Sequence, residues 1–156
     1  MLWSVDDGAF IINMSTQWID NGQCGTPGTI ATIKKVEENN AILRRAIEYA
    51  LSVGRDVLWV MAAGNECRDA RFSSPASLGQ AFPDNVLVVA AIDVSGGLAQ
   101  YSDFGDIVSV AAPGSDILST MPGNERGMRS GTSMATPHVS SHRFKVVDAY
   151  QAVMCQ

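Results

Sequence analysis

Leu43-Arg44-Arg45-Ala46-Ile47-Glu48-Tyr49-Ala50-Leu51-Ser52-Val53-Gly54-Arg55-Asp56-Val57-Leu58-Trp59-Val60-Met61-Ala62 changes its hydrophobic period halfway along. Before Gly54, the residues Leu43, Ala46, Ile47, Ala50 and Leu51 recur at helical spacing and define one apolar face. The pattern predicts a helix from roughly Ile33 to Val53, ended by Gly54, which is free to take the left-handed cap conformation. After Gly54, Val57 to Ala62 is a continuous apolar run, as expected of a strand covered on both faces. Phe10-Ile11-Ile12-Asn13-Met14 stands ahead of the helix and reads as another buried strand. Strand, helix and strand in this order form a βαβ unit, whose crossover is right-handed and whose strands are parallel. Further strands are expected at Val86–Ala91 and Ile107–Ala111. The fold class is therefore α/β, with helices flanking a mostly parallel sheet.

Composition narrows the function. The chain has 156 residues, 46% hydrophobic and 17% charged, which suits one folded domain rather than a disordered segment. Its net charge is −5, and the adjacent basic pairs Lys34-Lys35 and Arg44-Arg45 form a solvated helix face rather than a basic patch. No nucleic-acid partner is expected. The longest wholly apolar run, Val57–Ala63, is far short of a membrane span, so no membrane partner is expected either. Met1–Gly8 carries Asp6 and Asp7 and has no apolar signal core. Of the three cysteines, Cys24, Cys67 and Cys155, no two form a CxxC pair; a Cys24–Cys67 bridge and three free thiols both remain open.

In parallel sheets ligands bind beyond the carboxyl ends of the strands. Ser15-Thr16-Gln17 and Ala63-Gly64-Asn65 emerge there. The most informative segment lies further on: Ser130-Gly131-Thr132-Ser133-Met134-Ala135-Thr136-Pro137-His138-Val139. Gly131 permits a tight turn, and the small residues after it start a helix. A serine there lies beside unpaired backbone N–H groups and the positive end of the helix dipole. That setting favours negative charge developing during acyl transfer. An arbitrary Gly-Thr-Ser triplet would be read as a helix cap, but the longer string is distinctive.

Gly131-Thr132-Ser133-Met134-Ala135-Thr136-Pro137-His138-Val139 resembles the nucleophile segment of the subtilisin-like serine proteases almost residue for residue. Other segments match in the order that family requires. Ile12-Asn13-Met14-Ser15 resembles the strand whose end walls the substrate cleft. Ala62-Ala63-Gly64-Asn65-Glu66 resembles the segment bearing the oxyanion-stabilising asparagine. Ala99-Gln100-Tyr101-Ser102-Asp103-Phe104-Gly105 and Val110-Ala111-Ala112-Pro113-Gly114 resemble the approach to the nucleophile. The resemblance implies a three-layer, subtilisin-like but incomplete fold, and a serine endopeptidase acting on polypeptide through an acyl-enzyme. Ser133 would be the nucleophile, with Asn65 and the Ser133 N–H as oxyanion donors. Ser15, Ala63 and Gly64 would line the cleft for an extended peptide. No cofactor is expected; structural calcium is implied by the family alone, with no site identified. The family also implies an extracellular location.

The chain departs from the family in several ways. The triad Asp and His segments are absent, so residues 1–156 read as a partial peptidase domain, inactive alone. The alternative is a catalytically dead fragment that binds a peptide or partner. The two histidines, His138 and His142, both follow the serine. On a helix from Ser133 they lie about 140° and about 180° around the axis from it, so neither can easily take its proton. His138 is therefore expected to pack or cap. Ser140–Lys145 interrupts what should be a long apolar helix, and Val146–Val153 resembles a later one. Thr16-Gln17-Trp18 replaces smaller, glycine-containing residues, and Trp18–Lys35 looks like an inserted loop. With cover missing, one face of Val86–Ala91 should lie open, favouring association with the missing N-terminal half or self-association. An α/β-hydrolase is excluded because Ala135 stands where its nucleophile elbow needs glycine. A nucleotide-binding domain is excluded because no Gly-rich loop precedes a Lys-Ser/Thr pair.

Overall fold

The computed structural model describes residues 2–18, 24–26 and 28–141. Helix α1 (Leu2–Asp6) is followed by β1 (Ile11–Met14), α2 (Ile30–Ser52), β2 (Leu58–Ala62) and a turn of 3-10 helix (Ala70–Phe72). Then come α3 (Leu78–Ala81), β3 (Val86–Ile92), β4 (Val110–Pro113), β5 (Ile117–Met121), β6 (Glu125–Arg129) and α4 (Thr132–Ser141). Strands β1-β2-β3-β4 form one parallel sheet in that order, and β5 and β6 pair as an antiparallel hairpin. The expected βαβ unit is β1-α2-β2, with Ile11 opposite Leu58 and Met14 opposite Met61.

Helix α2 starts at Ile30 rather than near Ile33, because Thr29 caps it: its Oγ1 accepts the Thr32 N–H at 3.2 Å. The supposed inserted loop Trp18–Lys35 is thus helical over its last residues. Gly54 stops the helix at φ +69°, its N–H on the Leu51 carbonyl at 3.1 Å. The fourth strand runs over Val110–Pro113, not Ile107–Ala111. Val108 is held in a turn by its N–H on Gly105, and the ladder opens at Ser109, whose N–H donates to Val88 at 2.9 Å.

Leu43, Ala46, Ile47 and Ala50 of α2, Ala135 of α4 and the apolar residues of β2 and β3 share one core, and α4 packs against all four parallel strands. Successive side chains of a strand point to opposite faces. Val88, Val89, Ala90 and Ala91 are all 0% exposed, so β3 is covered on both faces. The expectation of an open face over Val86–Ala91 is therefore corrected. Among the described residues, β1 keeps an unpaired outer edge. Residues Val146–Val153, expected to form a later helix, lie outside the described residues, as do His142 and Cys155.

Candidate active site

Because β1 and β2 end in register, Ser15–Gln17 and Ala63–Asn65 leave the sheet side by side. The start of α4 is brought to the same edge by the turn before it. The Gly131 N–H donates to the Gly114 carbonyl at 2.8 Å, and a Cβ on Gly114 would lie 2.6 Å from that of Ala91. Only glycine lets the two segments approach this closely.

Asn65 and α4 are locked together. Asn65 Oδ1 accepts the Thr132 N–H at 2.9 Å and the Thr132 hydroxyl at 3.1 Å. Thr132 Oγ1 in turn accepts the Gly64 N–H at 3.3 Å. Both lone pairs of the Asn65 carbonyl are thereby used, so its Nδ2 faces the other way, where it donates to Gln17 Oε1 at 3.2 Å. Ser133, next in the chain, is half-buried in the first turn of α4. Among the described residues its hydroxyl and its N–H have no hydrogen-bond partner. Pro137 lacks the N–H that would otherwise bond the Ser133 carbonyl.

A buried carboxylate supports the loop from below. Asp103 is 0% exposed, and its Oδ1 accepts the N–H groups of Glu66 at 2.8 Å and Arg68 at 3.1 Å. Its Oδ2 accepts the Ser73 hydroxyl, and its own N–H donates to the Gly64 carbonyl at 2.9 Å. Burial raises the Asp103 pKa, against the lowering effect of these donors. Burial also raises that of Glu66, helped by the Asp103 charge and opposed by Arg68, whose guanidinium lies 4.0 Å away. Gly64 has φ +123°, and a Cβ there would run into the Asp103 carboxylate.

Ser15, Ala63, Gly64, Asn65 and Ser133 thus collect around one edge of the sheet. Ala63 is fully buried, while Ser15 is half-buried with its hydroxyl accepting from Asn13 Nδ2 at 2.8 Å. Both backbone groups of Gly64 are engaged within the fold, so it offers a cleft chiefly the absence of a side chain. His138 Nδ1 bonds the Met134 carbonyl at 2.9 Å within its own helix, the packed role expected of it. Three participants have no role assigned from the sequence: Thr132, which reads as a simple cap, Asp103, quoted only within a matching segment, and Gln17, placed at the carboxyl end of the sheet and noted as a departure from the family.

A Cys24–Cys67 disulfide ties the strap before α2 to this loop, reinforced by the Gly25 N–H on the Glu66 carbonyl at 2.9 Å. Of the two alternatives left by the sequence, the bridge is the one formed. Among the described residues no group of three His, Cys, Asp or Glu side chains is placed to hold a metal ion, so no calcium ligand is assigned. Nor is any described helix long and apolar enough to cross a membrane.

Comparison with known proteins bears on the family and the fold. A family model described as "Subtilase family" matches residues 1–154. The chain is 37% identical over 140 residues to a thermophilic serine proteinase of Bacillus sp. (strain AK1), covering 90% of this chain and 28% of that one. It is 38% identical over 113 residues to proteinase T of Parengyodontium album, covering 72% and 36%. A solved cold-adapted subtilisin-like serine proteinase superposes with a TM-score of 0.63 at 30% identity, covering 88% of this chain and 42% of that structure. The chain therefore spans less than half the length of these relatives. The match to the family model over residues 1–154, together with these relatives, places the chain in the subtilase family.

Proposed function

We propose that this chain carries the nucleophile and oxyanion parts of a serine endopeptidase that cleaves polypeptides through an acyl-enzyme, and that it does not turn over by itself. The lock between Asn65 and Thr132 carries this reading. It holds the Asn65 amide beside the first turn of α4, where Ser133 and its unpartnered N–H reside. Ser133 Oγ would attack the scissile carbonyl, and the Asn65 Nδ2–H and Ser133 N–H would receive the charge that develops on its oxygen. Ser15 and the exposed stretch of the β1 edge would take an extended peptide. No described side chain accepts the Ser133 proton, so the hydroxyl stays a weak nucleophile. That same observation favours a second reading, a fragment that binds peptide without cleaving it. The disulfide supports an oxidising, extracellular setting.

A peptide acid tests the oxyanion assignment without requiring turnover, because its terminal carboxylate mimics the charged oxygen. Tetra-alanine with a free carboxylate should bind this chain more tightly than tetra-alanine amide. Asn65→Ala should reduce that preference about three- to tenfold, roughly the difference between a hydrogen bond to a charged group and one to a neutral group. Equal binding of acid and amide by the unaltered chain would contradict the assignment.

A further inference from the structure

Gln17 occupies an unusual place between the two walls of the site. Its Oε1 accepts from Asn65 Nδ2 at 3.2 Å, and its Nε2 donates to Glu66 Oε2. Its backbone surroundings are pinned on both sides. The Trp18 N–H donates to the Ser74 carbonyl at 3.0 Å, while Glu66 is tied to the strap by the Gly25 N–H and by the disulfide at Cys67.

We propose that Gln17 is a positioning residue, which fixes the orientation of the Asn65 amide through a polarised chain from Glu66 to Thr132. This rests on the assignment of Asn65 as an oxyanion donor. An amide can be turned over with little change of shape, so a donor built on asparagine works only if something distinguishes its oxygen from its nitrogen. At one end of the chain stands the Thr132 backbone N–H, which can only donate, so Asn65 Oδ1 must face it. At the other end stands the Glu66 carboxylate, which when ionised can only accept, so Gln17 Nε2 must face it. Gln17 Oε1 is then presented to Asn65 Nδ2, and the two constraints agree. A reversed Asn65 amide would set its oxygen against the Gln17 oxygen and its nitrogen against the Thr132 N–H, losing both of those bonds and keeping at most one to the Thr132 hydroxyl. Of the two N–H groups on Asn65 Nδ2, one is held by Gln17, and the second has no partner among the described residues. That second N–H is the one left for a substrate oxyanion.

The experiment is the acid-against-amide titration of tetra-alanine, repeated on Gln17→Met and Gln17→Ala in the whole chain. Methionine matches the length of glutamine but is only a weak acceptor for the Asn65 N–H and cannot donate to Glu66, and it keeps the packing that alanine would lose. Gln17→Met is expected to reduce the acid-over-amide ratio about three- to tenfold with a smaller change in amide affinity, and to lower the melting temperature slightly because the buried Glu66 loses the Gln17 donor. Retention of the full ratio in Gln17→Met, with Asn65→Ala losing it, would overturn the role of Gln17 and leave that of Asn65 intact. An equal loss of acid and amide affinity would also overturn it, because Gln17 would then shape the cleft rather than orient the donor. No preference in the unaltered chain would overturn both assignments together.

Discussion

Replacing Asp103 by alanine and by asparagine separates hydrogen bonding from charge under the Gly64–Arg68 loop. Asp103→Ala removes the acceptor of two buried N–H groups, those of Glu66 and Arg68, and of the Ser73 hydroxyl. Each backbone donor left unsatisfied costs about 1–3 kcal/mol, whereas the Ser73 hydroxyl can rotate toward another acceptor. The two N–H groups together give about 2–6 kcal/mol, from which the relief of a desolvated carboxylate must be subtracted. A net loss of about 3 kcal/mol is expected, a large share of the 5–15 kcal/mol or so that holds a domain together. Asp103→Asn keeps an Oδ1 for both N–H groups and can donate its new amide hydrogen to Ser73, so its cost should stay below about 1 kcal/mol. With a urea m-value of about 1–3 kcal/mol/M, the alanine variant should unfold about 1–3 M earlier and the asparagine variant within about 1 M of the unaltered chain. Equal losses for the two variants would mean that the charge, not the accepted N–H groups, holds the loop. A loss below about 1 kcal/mol for alanine would mean that the loop is held elsewhere.

The same buried carboxylates predict a pH dependence. Glu66 and Asp103 both have folded-state pKa values above their usual 4.5 and 3.8, so the native chain holds more protons than the unfolded one in the window above those values. Stability should therefore fall as pH rises through their raised folded pKa values, and Glu66→Gln should flatten the slope of melting temperature against pH in that window. Gly64→Ala should destabilise by about 3 kcal/mol or more, since it combines a strained positive φ with overlap of the Asp103 carboxylate. Thermal unfolding checks it; a shift within a degree of the unaltered chain would show that the loop can move. Reducing the Cys24–Cys67 bridge, whose cysteines are 43 residues apart, should cost about 4 kcal/mol by chain entropy, read as a lower urea midpoint in dithiothreitol.

What was legible in the sequence was whatever repeats with a period or sits in an unbroken string. The helix face through Leu43, Ile47 and Ala50 and the apolar runs of β2 and β3 marked the βαβ core at once. The string from Gly131 to Val139 marked the site. The hairpin β5-β6 was not foreseen, since Glu125-Arg126-Gly127-Met128-Arg129 is mostly exposed and lacks an alternating apolar pattern. Strand β4 begins later than the apolar pattern suggests because Ile107 and Val108 are apolar for packing rather than for pairing, and the turn onto Gly105 decides where the ladder begins. Thr132, Asp103 and Gln17 escaped because each acts through a partner distant in sequence: Thr132 on Asn65, Asp103 on Ser73, Gln17 on Asn65 and Glu66. Local pattern carries no trace of such pairings. The cover over β3 escaped for a similar reason, since α4 lies far along the chain from the strands that it shields.

On the proposed function, Ser133 is a nucleophile that lacks its base among the described residues. Fluorophosphonate labelling of this chain reads it out, alone and mixed with the part of the thermophilic Bacillus relative that lies outside the matched 140 residues, with Ser133→Ala as control. Negligible labelling of the chain alone and Ser133-dependent labelling in the mixture are expected. Rapid labelling of the chain alone, or labelling of the mixture that persists on this chain in Ser133→Ala, would contradict it.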